Sequence, residues 1–255
     1  EGAYSQLCWW LDTHFSKHIV AISEWVKEDI LKKYKIKPEK ITTIYNPITI
    51  NGNDTLAFDV IERKYGVREK QFYYTVSQLI PHKNLETIIE VMARIKEKNL
   101  ELPHQLLISG VNGESRSRLE QQIRMRGLEK EVMLTGFVEN KERNSLYKYC
   151  QAFLFPSVFE GFGMPMIEAM LFGTMVVTTK KSCIPEISQG KANYVSDPYD
   201  VDEWISVMQN LQDHIKEVDF ARYDQKILTE KYYKLLSAYT VFECVLANNK
   251  DTKEF

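Results

Sequence analysis

The chain has little of what would mark it as membrane-embedded, metal-bound or secreted. No apolar run approaches the roughly 20 residues of a bilayer span. The opening stretch EGAYSQLCWWLDTHF has none of the charged, apolar and cleavage regions of a signal peptide. Only four cysteines occur, Cys8, Cys150, Cys183 and Cys244, far apart and with no CxxC. That usage fits a reducing compartment and argues against structural zinc, so a cytoplasmic location is expected. The five histidines are scattered, without metal-ligand spacing. Neither sign of charge dominates, with 33 basic and 35 acidic residues, so the totals point to no nucleic-acid groove and no polybasic anchor. An anionic ligand would have to be met locally. What is present is apolar material: 44% of the 255 residues, with 12% aromatic, is enough for one large core or two modest ones.

From residue 71 onward, short β-branched or aromatic runs alternate with amphipathic segments, the pattern of a parallel sheet wrapped by helices. The runs FYYTVS, QLLISG, VMLTGF, AFLFPS, MVVTT and NYVS read as strands. Between the first two, Leu85, Ile88, Ile89, Met92 and Ile95 recur at helical spacing on one face, behind Asn84 as a candidate N-cap. The expected fold is therefore α/β, a Rossmann-like doubly wound parallel sheet. Residues 1–47 stand outside that alternation. HIVAIS and ITTIYN read as two strands separated by the helical EWVKEDILKKY, and a polar connector, NPITINGNDTLAFD, follows. This segment is expected to be the end of a preceding domain whose front lies outside the chain, with residues 48–255 forming the second domain and its C-terminal helices.

The stretch EGFGMPMIE, residues 160–168, sits between the strand AFLFPS and an apolar helical run. In open α/β sheets ligands bind outside the carboxyl ends of strands, so this loop is well placed. Gly161 and Gly163 allow close backbone approach, and Pro165 suits a first helical turn. The exposed amides of such a helix start favour an anion such as a diphosphate. Two carboxylates beside a phosphate would repel it, so Glu160 and Glu168 are expected to face hydroxyls at either end, as a sugar and a ribose would provide.

These residues carry a resemblance. EGFGMPMIE matches the E-x7-E motif of retaining glycosyltransferases of family four, which have the GT-B architecture of two Rossmann-like domains facing across a cleft. Similarity also runs through VAISEWVKEDILKKYKIKPEKITTIYNPI, TVSQLIPHKNLETII, LLISG, VMLTGFV and FPSVFEGFGMPMIEAMLFGTMVVTTKKSCIPEI. The resemblance implies that Glu168 binds the ribose hydroxyls of a nucleotide-sugar donor. It places Glu160 at the donor sugar and Lys83 at the phosphates, as catalytic groups. The amides of Phe162, Gly163 and Met164 would hold the diphosphate. The strand end at Gly136, Phe137 and Val138 would lay the base, and Glu186 would line the donor pocket. Many relatives carry an arginine five residues before the lysine; here that position is Gln78, with His82 nearby.

The implied activity is transfer of a hexosyl unit, with a lean toward mannosyltransferase-like relatives of polysaccharide synthesis. The co-substrate would be a GDP- or UDP-linked sugar, with no further cofactor and no metal. The acceptor would be a saccharide or lipid-linked saccharide, with peripheral association at the inner membrane face through the missing domain. Two other readings stay open: a donor-binding subunit that needs a separate partner chain, and a sugar-nucleotide epimerase of the same architecture. The DVD at Asp200–Asp202 imitates a manganese-chelating DxD, but Asp200 with Glu203 ahead of Trp204, Ile205 and Met208 reads as a capping box.

Overall fold

The computed structural model describes the backbone of residues 3–250 and the side chains of residues 6–239. It divides into two compact units, one of residues 1–49 with 220–255 and one of residues 50–219. The C-terminal segment, expected from the sequence to extend the second domain, thus clusters with the first. Cys244 lies outside the described side chains, while Cys8, Cys150 and Cys183 are free thiols.

The first unit begins with α1 (Ala3–Phe15), which sequence reasoning did not assign, followed by β1 (Ile19–Ala21), α2 (Glu24–Tyr34) and β2 (Ile41–Thr43). β1 and β2 pair in parallel, as a strand–helix–strand unit requires. Ser23 caps α2 by accepting from the Val26 amide at 3.2 Å. The returning C-terminal segment is held to this unit by specific contacts. The Ile48 amide donates to the Tyr223 carbonyl at 3.0 Å, and the Arg222 guanidinium lies 4.4 Å from the centre of the Tyr45 ring.

The second unit opens with α3 (Phe58–Tyr65), also unassigned from sequence. It then alternates β3 (Phe72–Val76), α4 (Leu85–Glu97), β4 (Gln105–Ser109), α5 (Gly113–Met125), β5 (Val132–Gly136), α6 (Asn140–Tyr149) and β6 (Ala152–Phe155). After these come α7 (Met164–Leu171), β7 (Val176–Thr179), α8 (Ile184–Ile187), β8 (Asn193–Val195) and α9 (Val201–Gln209). The last helix, α10 (Gln225–Lys250), belongs to the first unit. All six expected strands form one parallel sheet in the order β5-β4-β3-β6-β7-β8.

Both faces of that sheet are covered, which is why its strands read as continuous apolar runs and not as alternating ones. On one face Tyr73, Leu106, Ile108, Leu154 and Val177 pack with the α4 stripe of Leu85, Ile88, Ile89, Met92 and Ile95 and with Trp204 of α9. The other face is aromatic. Tyr74 and Phe153 of the sheet meet Tyr147 of α6 edge-on, with ring centres 5.4 and 5.2 Å away. Asn84 occupies the position before α4 with φ +52°, yet its side chain caps no backbone amide. It accepts from the Thr87 hydroxyl at 2.7 Å and donates to the Pro198 carbonyl at 2.9 Å, tying two loops together.

Candidate ligand site at the sheet switch point

The strand order places a topological switch between β3 and β6. From β3 the chain moves outward to β4 and β5, then returns to β6 and moves the other way. At such a point the loops leaving adjacent strands diverge and open a crevice at their carboxyl ends. The two loops that flank it here carry the two groups singled out from sequence. Lys83 ends a one-turn helix, Pro81–Lys83, after β3. Glu160 lies in the loop after β6. Their side chains meet, Lys83 Nζ to Glu160 Oε1 at 2.6 Å, and both are largely buried.

The Glu160 loop is held from three sides. The Val158 amide donates to the His82 carbonyl at 2.8 Å. The Thr179 hydroxyl at the end of β7 donates to the Ser157 carbonyl at 2.6 Å. The Glu160 amide donates to Ser182 Oγ at 2.9 Å, and Cys183 Sγ donates to the Glu160 carbonyl at 3.1 Å. Burial, reinforced by Glu160 and Glu186, pushes the Cys183 thiol up to about 12, so it serves as a donor and not as a thiolate. Sequence reasoning did not find Ser182 and Cys183 as supports. Glu186 is half-buried on α8, and its charge acts on Cys183 three residues before it.

Behind Glu160 the chain passes Gly161 and the buried Phe162 to reach Gly163, which stands before α7 at φ +88°. A side chain there would be strained, and its Cβ would lie 3.4 Å from the Phe155 ring. Met164 then starts the helix with Pro165, which has no amide hydrogen, in its first turn, and the Met166 amide donates to the Gly163 carbonyl at 3.1 Å.

Glu168, one turn further on, does not join the Lys83–Glu160 pair. Its Oε2 accepts from the Tyr147 hydroxyl at 3.1 Å and lies 3.9 Å from Arg143 Nε. Burial raises its pKa above the ordinary carboxylate value, against the opposing pull of Arg143 and the Tyr147 hydrogen bond. Tyr147 and Arg143 escaped sequence reasoning, although their four-residue separation puts them on one helix face.

The remaining expected residues are more dispersed. Gln78 is exposed just after β3, and with Gly110 and Asn112 it lines a cavity of about 210 Å³ at the carboxyl ends of β3 and β4. His82 packs its ring edge-on to Phe159 at 6.5 Å. At the end of β5, Phe137 is 82% exposed whereas Val138 is buried. The largest cavity described, about 740 Å³, opens instead beside the amino ends of β3, β4 and β6, lined by Gln71, His104 and Gln151. It lies on the opposite edge of the sheet from the paired groups, so size alone does not select the site.

Asp200 is the N-cap of α9, accepting from the Asp202 and Glu203 amides at 2.9 and 3.0 Å. Glu203 does not reach back to Asp200 as a closed capping box would; it accepts from the Ser196 and Asp197 amides. Asp202 turns to Arg94, 3.2 Å away. Among the described residues no cluster of three or more His, Cys, Asp or Glu side chains could hold a metal ion. Asp200→Ala is therefore expected to cost about 0.5–2 kcal/mol of stability through the lost cap. Nucleotide affinity should not change and should be indifferent to EDTA. Loss of binding in EDTA with recovery on adding manganese would instead identify Asp200 and Asp202 as metal ligands.

Fold and site together define a Rossmann-like α/β domain of the kind found in GT-B glycosyltransferases. Residues 58–226 match the family model for glycosyl transferases group 1, and residues 1–51 match that for glycosyltransferase family 4. The chain belongs to the glycosyl transferases group 1 family. It is 30% identical over 196 residues to the O-antigen chain mannosyltransferase RfbU of Salmonella typhimurium, a match covering 77% of this chain and 51% of that protein. It is 26% identical over 202 residues to O-antigen chain mannosyltransferase B of Escherichia coli, covering 78% of this chain and 52% of the relative. The chain thus spans about half the length of these curated relatives. Its fold is similar to that of Anabaena Alr3699/HepE, solved in complex with UDP and glucose, with a TM-score of 0.77 at 22% identity over 91% of this chain and 66% of that one.

Proposed function

We propose that the protein is a nucleotide-sugar-dependent hexosyltransferase that retains configuration at the transferred carbon, with mannose as the favoured sugar. The observation that carries this reading is the Lys83–Glu160 pair at the switch point, 2.6 Å apart, with the α7 start immediately behind it. A cation, a helix start and a carboxylate on one crevice suit a sugar diphosphate. Lys83 and the amides of Phe162, Gly163 and Met164 take the phosphates, and Glu160 takes sugar hydroxyls. Glu168 takes the ribose, Phe137 and Val138 the base, and Gln78 and Glu186 the pocket edges. The mannose preference follows the names of the O-antigen relatives.

In the reaction the bond between the anomeric carbon and the diphosphate oxygen breaks, and the acceptor oxygen bonds to that carbon on the same face. The acceptor proton passes to the departing diphosphate. The protein's share is positioning and stabilisation of developing phosphate charge, which is why a lysine and helix-start amides are the groups required. The two-carboxylate alternative, a glycosidase, needs a nucleophile and an acid flanking one bond; here Glu160 is paired to a cation and Glu168 is held elsewhere. A lipid-linked saccharide acceptor would bring the enzyme to the inner membrane face; among the described residues no helix is long and apolar enough to cross a membrane.

Calorimetric titration with GDP, UDP and ADP, each against its bare nucleoside, tests the reading. One diphosphate should bind well, and its nucleoside at least tenfold more weakly, by roughly 1.4 kcal/mol or more. No binding of any of the three would overturn it.

A further inference from the structure

Glu168 is braced in a way that neither the fold nor the α6 helix requires. Tyr147 is fully buried in the aromatic layer, where a phenylalanine would fill the same space against Tyr74, Phe153 and Phe172. Its hydroxyl nevertheless donates to Glu168 Oε2. Arg143 sits in the first turn of α6, where the helix dipole disfavours a cation. Its Nε is buried without a hydrogen-bond partner, and its nearest anion is the same Oε2 at 3.9 Å. Both groups thus act on one oxygen. Oε1 accepts no hydrogen bond among the described residues. The groups acting on the carboxylate are these two from α6, with Tyr74 of β3 behind Tyr147.

We propose that Tyr147 and Arg143 are positioning residues that hold Oε2 of Glu168, so that Oε1 is the atom presented to a ribose hydroxyl of the bound nucleotide. This rests on the ribose assignment of Glu168 made above. A buried carboxylate fixed at one oxygen has a single direction for the other, so the hydroxyl is met without loss of side-chain rotation on binding. Because burial raises the Glu168 pKa and Arg143 opposes that rise, the arginine also sets how far into acid the carboxylate stays charged.

The test is calorimetric titration of the parent, Tyr147→Phe, Arg143→Met and Arg143→Lys with GDP and UDP and with the dideoxy analogues that lack both ribose hydroxyls. Each titration is repeated from mildly acid to mildly alkaline buffer. The parent should prefer the ribonucleotide. Tyr147→Phe should reduce that preference by about 2- to 12-fold, the net value of one hydrogen bond, with no change for the dideoxy analogue. Arg143→Met should move the acid loss of ribonucleotide binding to higher pH, and Arg143→Lys should restore it. If the parent discriminates and the variants keep both its preference and its acid limb, the positioning role is wrong. Equal weakening toward ribo- and dideoxynucleotide would also overturn it, by making the two residues supports of the fold or of another part of the ligand. A parent that does not discriminate would instead remove the ribose assignment of Glu168 itself.

Discussion

Glu168→Gln is expected to weaken the proposed nucleotide binding by about 1.5–3 kcal/mol, the value of a hydrogen bond to a charged group, and at the same time to make the protein melt higher near neutral pH. The two effects have one cause. Glu168 is a buried carboxylate whose folded-state pKa lies above its unfolded value, because burial outweighs Arg143 and the Tyr147 hydroxyl. A group with a raised folded pKa binds more protons folded than unfolded, so its stability contribution is fully present below the unfolded pKa. That contribution is lost as pH rises through the folded value. At neutral pH the charged side chain therefore works against the fold, and glutamine, of the same shape without the charge, removes that opposition. The gain in melting temperature should be largest near neutrality and should shrink in acid, where the parent carboxyl is itself neutral. A functional group kept at a cost to stability is a common property of binding sites. Melting curves across pH together with calorimetry decide the matter. A glutamine variant with parental nucleotide affinity, or one whose stability difference from the parent grows in acid, would refute the assignment.

What could be read in advance, and what could not, follows from the range of the forces involved. All six strands of the large sheet were legible because strands covered on both faces are near-continuous apolar runs, as in Phe72–Val76 and Ala152–Phe155. α4 was legible from its stripe, every member of which is buried. α3 was not: in eight residues it buries only Ile61 and Tyr65, too few to declare a period. α1 leaves Leu7, Trp9, Trp10, Leu11 and Phe15 exposed, so its apolar residues do not sort onto one face. The clustering of residues 220–255 with 1–49 depends on contacts such as Tyr45 with Arg222, 177 residues apart in the chain. No local pattern carries that information. In the site, Glu160 and Glu168 stood out because the strand–loop–helix context gave each a reason to be there, and Lys83 stood out through the family resemblance. Which of them touch was a matter of tertiary geometry. The sequence set the two glutamates at either end of a diphosphate without saying which side chain each would touch; in the structure Glu160 meets Lys83 and Glu168 meets Tyr147 of α6. Asn84 shows the same limit: its residue type fits a cap, but the fold uses its side chain to join the Thr87 and Pro198 segments.

The Lys83–Glu160 pair leads to a prediction in which the two partners behave oppositely. In the absence of ligand the lysine is held by a carboxylate, and a diphosphate entering the crevice must draw it away while approaching a negative charge. Lys83→Ala should lower affinity for the nucleoside diphosphate by about 1.5–3 kcal/mol and leave the bare nucleoside almost unaffected, because only the former carries the charge the lysine meets. Glu160→Gln should raise diphosphate affinity, by up to about 2 kcal/mol, through release of the lysine and loss of carboxylate–phosphate repulsion. It should abolish sugar transfer all the same, since the group proposed to hold the sugar hydroxyls has lost its charge. Stability separates these effects from damage to the fold. Lys83→Ala leaves Glu160, whose side chain is only 11% exposed, without its counter-charge and should destabilise the protein, whereas Lys83→Ala combined with Glu160→Gln should recover stability. The decisive quantity is the diphosphate affinity of that double variant, read as a coupling in a mutant cycle. If the lysine serves the phosphates, affinity stays low after stability has returned. If affinity returns with stability, or if Lys83→Ala weakens nucleoside and diphosphate alike, the lysine supports the Glu160 loop and the phosphates are met by the α7 amides alone.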